Sequence, residues 1–421
     1  MFTKKMNIWQ ITIGEPIPSD GENIRLHRAG LMSEWLAARG HHVTFINSSF
    51  FHQKRVQRFD KTTSLSISEN LTVVCLHSRS YGRSISLARV LSHRDSARSF
   101  RAWLETVDCL PDIIIASYPI VELCEAALLF AKTKEVPVVI DCRDFWPDIF
   151  GELLPAPLRW LNSAVFWPAN RRAKKVLGSA PVISSHTLSG LRWGLAKANR
   201  QSRKYDFFFP FTYPEKETCS VQVKEAAQQK VLTICFLGTL SHRSGLEKYI
   251  YALGALDKDK RRRVKLLIGG SGPQMQELEA LVSKTGAPVE FLGWLDRDEM
   301  VKLMGRSDFG LIPYDRADFH LSMPNKVSEY LANGLPILSC TKGELQTFIT
   351  EHRVGILSGE GVAEILEILK VLIEDPPVFK SKSIERVYKE LFSADVVFSK
   401  LEKQLIQIVL SRNVNGSMQL N

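Results

Sequence analysis

The stretch DFGLIPYDRADFHLSMPNKVSEYLANGLPILSC, residues 308–340, sets the architecture. Its first part, DFGLIPY, is a short apolar run that reads as a buried strand. Pro324 then opens a helix, with Asn325 and Lys326 in its first turn and Glu329 three positions later on the same face. PILSC closes the stretch as a second apolar run. Strand, helix, strand in that order describes a crossover between parallel strands.

Outward from residues 308–340 the alternation continues. MNIWQITI, HHVTFINS, LTVVCLH, PDIIIAS, PVVIDC and KVLGSAPVIS precede residue 210, and VLTICFLG, VKLLIGG and PVEFLGW follow it. Amphipathic segments such as IRLHRAGLMSEWLAARG lie between the runs, where Leu26, Leu31 and Leu36 recur at helical spacing and Gly40 supplies a stop. Eleven runs exceed one small sheet, so an α/β protein with two doubly wound domains is expected, with ligand-binding loops beyond the carboxyl ends of the strands. The boundary falls in the aromatic and proline-rich stretch Phe207 to Pro214. It gives residues 1–210 as a first domain, 211–385 as a second, and 386–421 as C-terminal helices packing back across the junction, with an apolar face from Phe398, Leu401, Leu405 and Val409 and a frayed polar end.

Composition narrows the class. A chain of 421 residues with 45% apolar and 24% charged side chains can bury a large core, which excludes disordered and collagen-like proteins. Seven cysteines, at 75, 109, 124, 142, 219, 235 and 340, never take CxxC spacing, which argues against a disulfide framework or zinc site and for a reducing cytosol. MFTKKMNIWQITIGEPIPSDG is a poor signal peptide and a better first strand, and no run of 18 apolar residues predicts a transmembrane helix.

The 55 Lys and Arg exceed the 45 Asp and Glu by ten, and the whole excess lies in residues 1–210, which hold 28 basic and 18 acidic side chains. Residues 159–204 contain ten Lys or Arg and no acid, with Trp160, Phe166, Trp167 and Trp193 among them; residues 54–101 form a second basic cluster. Lys and Arg attract anionic headgroups and indoles settle at the lipid interface, so Trp160, Trp167, Arg171, Arg172, Lys174 and Lys175 predict a peripheral contact with an anionic membrane surface. The plainer reading is a solvated basic face. Nucleic acid is the rival polyanion, but no helix-turn-helix, zinc finger or RNA-binding aromatic motif accompanies the charge.

Several loops carry candidate chemistry. Gly14 follows the first strand, where a glycine lets backbone approach a phosphate. In FLGTLSHRSGLEKYIYAL, Arg243 lies between Gly238 and Gly245 in a strand-to-helix loop and suits a diphosphate. LLIGGSGPQMQELEAL holds the tight turn Gly269 to Gly272 before Pro273. At Pro324, Asn325 and Lys326, a cation and free N–H groups at a helix start suit a pyrophosphate, while Glu329 suits a ribose diol. Structural turns, helix capping and surface ion pairs are the alternatives for each. In DCRDFWPD, Asp144 is a candidate proton acceptor or acceptor-orienting group, as is Tyr118 after PDIIIAS; a buried Arg–Asp pair is the alternative there. Asp296-Arg297-Asp298 spells DxD, but Asp296 with Glu299 reads as a capping box. His41 and His42 lack further metal-ligand spacing.

Taken together, the Gly14 loop with ARGHHVTFI, IDCRDFWPDIF, FLGTLSHRSGL, GGSGP, FLGW and MPNKVSEYLANGLPIL resemble, in order, glycosyltransferase family 4, whose members have the two-domain GT-B fold. The resemblance implies two Rossmann-like domains facing a central cleft and retaining transfer of a hexose from a nucleotide sugar, with no metal or other cofactor. It implies that Glu329 matches the second glutamate of the family's E-x7-E motif and holds the ribose. Ser322, Met323, Pro324, Asn325 and Lys326 line the donor loop, Arg243, Gly14 and Gly272 belong to the donor site, and residues after FLGW meet the base. Leu321 stands where the first glutamate would fall, and Ser244 where a lysine is usual. The implied acceptor is a lipid-linked saccharide of a cell-surface polysaccharide, at the inner face of the cell membrane. A catalytically silent GT-B partner subunit and a basic nucleic-acid-binding protein are the alternatives.

Overall fold

The structure is a computed structural model that describes residues 4–21, 24–82, 86–150, 160–214 and 231–415. Arg83 and Arg159 of the two basic clusters, Cys219 and the polar tail from residue 416 lie outside them. The chain divides into two compact units, residues 1–210 with 397–421, and residues 211–396. Of the segment 386–421, expected as C-terminal helices packing back across the junction, residues 386–396 group with the second unit and residues from 397 with the first.

The first unit contains β1 (Asn7–Ile11), β2 (His42–Ser48), the short hairpin β3 (Phe50–Phe51) and β4 (Val56–Gln57), β5 (Thr63–Ser68), β6 (Leu71–Leu76), β7 (Ile113–Tyr118), β8 (Val138–Cys142), β9 (Val182–Ser185) and β10 (Phe207–Phe208). Eight of them form one sheet in the order β10-β9-β8-β7-β1-β2-β6-β5. Only β5 runs antiparallel to its neighbour. The difference is written in the residues: β7 is IIIASY and buried throughout, as a strand covered on both faces must be, whereas β5 is TSLSIS and alternates half-buried with exposed. The order reverses between β1 and β7, which makes their carboxyl ends the switch point where ligands of such sheets bind. Of KVLGSAPVIS, expected as one strand, only Val182–Ser185 is strand; Lys175 to Ser179 end the helix Trp167–Ser179.

The second unit holds β11 (Leu232–Leu237), β12 (Val264–Gly269), β13 (Val289–Gly293), β14 (Phe309–Ile312), β15 (Ile337–Ser339) and β16 (Gly355–Leu357). They form an all-parallel sheet in the order β13-β12-β11-β14-β15-β16, with its switch point between β11 and β14. Residues 308–340 supply β14, the helix Asn325–Ala332 and β15, the crossover expected of them.

The final helix, Ala394–Asn415, buries Phe398, Leu401, Leu405 and Val409. Its Glu402 receives a hydrogen bond from His41 Nε2 at 2.8 Å and pairs with Arg39 at 3.0 Å. The backbone N–H of Met6 donates to His41 Nδ1 at 3.2 Å, which leaves the ring proton on Nε2 facing Glu402. His41 is therefore a buried tie between the helix and the first unit, while His42 is exposed. Among the described residues no helix is long and apolar enough to cross a membrane.

Candidate functional site

At the switch point of the second unit the loop after β14 carries Tyr314 and Phe319, whose rings stack at 4.3 Å and 13°. Lys326 donates to the Tyr314 hydroxyl at 2.6 Å, and its ammonium lies 4.9 Å from the Phe236 ring centroid. Arg243 places its guanidinium 5.2 Å from the Phe319 centroid. The two expected cations, remote in sequence, thus contact the two rings of one aromatic pair. Gly238, just after β11, takes φ 150°, a backbone conformation that favours glycine, and the absence of a Cβ leaves room for the Lys326 ammonium.

The helix Asn325–Ala332 begins after Pro324, which offers no side-chain oxygen to the first-turn amides, so these groups suit an incoming anion. Tyr330 locks the helix to the sheet. Its hydroxyl accepts from the Leu237 N–H at 3.3 Å and donates to the Leu311 carbonyl at 3.4 Å, while its ring fills the space left by Gly310. Glu329 follows Lys326 by three positions and is only 2% exposed. Ser322 and Met323 are half-buried in the loop before Pro324, and Asn325 is exposed. The His320 carbonyl accepts from the Glu344 N–H at 3.0 Å, and its Nε2 is buried with no hydrogen-bond partner among the described residues.

The turn Gly269 to Gly272 is pressed against the loop after β11. Gly238 N–H donates to the Gly269 carbonyl at 2.9 Å and Leu240 N–H to Ser271 at 3.0 Å, and a Cβ on Gly272 would sit 2.2 Å from the Leu240 carbonyl oxygen. Contact between two backbones accounts for Gly270 and Gly272, while a Cβ on Gly269 would meet the side chains of Leu295 and Leu237. Ser244, buried, donates its hydroxyl to the Ser241 carbonyl at 2.7 Å and closes a local turn. Asp296 accepts from the Glu299 N–H at 2.9 Å while Glu299 accepts from the Asp296 N–H at 2.8 Å, the reciprocal cap expected of them.

In the first unit Gly14 takes φ 83° at the end of β1 and borders a pocket of about 140 Å³. Glu15 beside it pairs with Arg143 and accepts from the Ala29 N–H at 3.1 Å. Asp141 pairs with Arg28 at 3.2 Å, both nearly inaccessible, and accepts from Ser184 at 2.8 Å. Burial alone would raise the Asp141 carboxyl, but Arg28 and Arg143 hold it below its usual value. Of the readings open for DCRDFWPD, the buried Arg–Asp pair is therefore present, and Asp144 is exposed beyond it. Tyr118 does not suit the proton-accepting role expected for it: it is buried, burial pushes its phenol pKa up, and its hydroxyl donates to the Trp146 carbonyl at 2.6 Å. It positions the loop instead.

Trp160 and Trp167 are 75% and 58% exposed, and Arg171, Lys174 and Lys175 are exposed as well. Arg171 lies 5.4 Å from the Trp167 ring. Arg172 differs from the others, since it is paired with Glu122 and Glu125, each at 2.7 Å, from the helix Val121–Lys134. Lys197 and Arg200 likewise meet Asp148 and Asp206, and Trp193 donates to Asp148 at 2.8 Å. A span without acids in sequence thus acquires them in space. Tyr314, Phe319 and His320 escaped the sequence reading, although all three lie inside the quoted stretch. The aromatic pair five residues apart was the available signal.

Residues 231–375, within the second unit, match the family model described as "Glycosyl transferases group 1". Over 146 residues, 34% of this chain and 36% of the relative, the sequence is 28% identical to a 2-deoxystreptamine glucosyltransferase of Streptomyces kanamyceticus. Over 80 residues, 19% of this chain and 21% of the relative, it is 34% identical to a Campylobacter jejuni alpha-1,4-N-acetyl-D-galactosaminyltransferase whose name specifies an undecaprenol-linked saccharide. The alignments thus span about a third or less of these relatives' lengths. Among solved structures, sucrose-phosphate synthase from Thermosynechococcus elongatus superposes with a TM-score of 0.75 at 15% identity, covering 97% of this chain and 100% of that one. WaaG, a glycosyltransferase involved in lipopolysaccharide biosynthesis, gives 0.64 at 14% identity, covering 95% and 99%. The fold is GT-B.

Proposed function

We propose that the protein is a retaining glycosyltransferase of family 4 that moves a hexose from a nucleotide diphosphate sugar to a saccharide acceptor. The observation that carries this reading is the convergence of Lys326 and Arg243 on the Tyr314–Phe319 pair, beside an uncapped helix start at the switch point. Departure of a nucleoside diphosphate develops negative charge on phosphate oxygens. Two cations and first-turn N–H groups fixed beforehand would stabilise that charge and supply what a metal would otherwise contribute. Glu329 would accept hydrogen bonds from the ribose diol, and Asp144, exposed in the first unit, is the candidate for orienting the acceptor.

The acceptor in this reading is a lipid-linked saccharide of a cell-surface polysaccharide, reached by a peripheral protein at the inner face of the cell membrane. The exposed Trp160, Trp167, Arg171, Lys174 and Lys175 support that placement. The basic half serves lipid rather than nucleic acid.

A panel of nucleotide sugars assayed for hydrolysis and transfer tests the activity. A folded protein inert toward every donor would be a silent scaffold. Glu329→Ala should weaken nucleoside diphosphate binding at least tenfold by calorimetry, and unchanged affinity would remove the ribose role.

A further inference from the structure

Apart from Gly14 itself, the pocket beside Gly14 is lined by residues to which the donor site assigns no role. Ser48 comes from the end of β2, His52 from the hairpin that follows, Tyr81 from the loop after β6, and Arg89 and His93 from the helix Leu87–Leu104. It opens at the switch point of the first sheet and encloses about 140 Å³. Among the described residues its lining contains no carboxylate, and the one formal charge there at neutral pH is the Arg89 guanidinium. The Tyr81 hydroxyl meets His52 Nδ1 at 2.9 Å; when the phenol donates, the imidazole proton is left on Nε2 as a donor.

Electrostatics agree with the geometry. Burial lowers the pKa of both imidazoles, that of His93 to about 4, and Arg89 lowers both further, so its field reaches across the pocket. Arg55 adds to this at His52, while Glu122 opposes it at His93 from outside the lining. A bound oxyanion would relieve that repulsion and accept from the donors.

We infer that this pocket is an anion site that seats a phosphate group carried by the acceptor, an inference that rests on the proposed glycosyl transfer. A phosphate accepts hydrogen bonds from several directions at once, as donors spread over two loops and a helix require. The site would then select phosphorylated acceptors over neutral sugars and set the distance from the phosphate to the hydroxyl that receives the sugar.

The test uses the full chain with glycerol 3-phosphate as probe and glycerol as the neutral control. Glycerol 3-phosphate should shift the ring signals of His52 and His93 in NMR spectra and raise their pKa values, and glycerol should do neither. Arg89→Gln should lower phosphate affinity at least tenfold, and Arg89→Lys should recover part of it. Unmoved histidine signals, or full affinity in a folded Arg89→Gln protein, would overturn the assignment. Should Arg89→Gln fail to fold, the histidine signals of the unaltered protein decide alone. Phosphate binding here without transfer from any donor would sink the glycosyltransferase reading and keep the pocket. Transfer with acceptor preference indifferent to Arg89 would do the reverse.

Discussion

Lys326 has three N–H groups to place and gives one to Tyr314. The remaining two, with the guanidinium of Arg243, would form the polar equipment from which a departing diphosphate draws stabilisation in the proposed reaction. Replacing either residue by Ala should lower turnover about 100- to 1000-fold, the usual effect of removing one donor aimed at developing charge. Unfolding free energy should change much less, and wild-type rates in both variants would discard the cradle. Lys326 and Glu329 were legible in sequence because helical spacing alone puts them on one face. The stack of Tyr314 on Phe319 was not, because it depends on the path of an irregular loop. A pH dependence belongs at this scale too: burial lowers His186 to about 3 and His93 to about 4. Both stay neutral in the native state while the unfolded chain takes up protons below its ordinary value of about 6.5. Their contribution to stability is whole above that pH and is lost progressively as pH falls toward 4 and then 3. Urea midpoints that hold constant from pH 7 to pH 4 would contradict this.

Every one of the eleven apolar runs contains a strand, because parallel strands covered on both faces have no polar side to interrupt the pattern. Besides the two-residue hairpin strands β3 and β4, three strands were missed for which that reason fails or the run is too short. β5 is a half-polar edge, β10 is two aromatic residues in the linker, and β16 is three residues long. KVLGSA misled for the opposite reason, since its apolar residues Val176 and Leu177 face the core from a helix. The closing helix depends on a polar contact as well as an apolar face. Glu402→Ala strands the buried Nε2–H of His41, which at about 1–3 kcal/mol for an unsatisfied buried group should show as lost stability in chemical denaturation. Glu402→Gln, which can still accept the hydrogen bond, should lose less. Equal losses in the two variants would show that packing alone holds the helix.

Across the whole molecule, the charge excess assigned to residues 1–210 overstates what faces solvent there. Arg172, Lys197 and Arg200 are matched by acids from outside the basic span. Reversing Arg171, Lys174 and Lys175 to Glu should release the protein from anionic liposomes, while reversing Arg172 should chiefly weaken its packing on Glu122 and Glu125. Retained liposome binding in the triple variant would move the membrane contact elsewhere. The return of the last helix to the first unit has a consequence for how the molecule is made. Residues 211–396 leave the ribosome before residues 397–415 do, an interval on the order of ten to forty seconds at roughly 5–20 residues per second. Until then the surface that Phe398, Leu401 and Leu405 later cover stays open, and His41 waits for Glu402. Of the two units, the one whose synthesis begins earlier is thus completed only after the other has been made, with apolar surface uncovered in the interval.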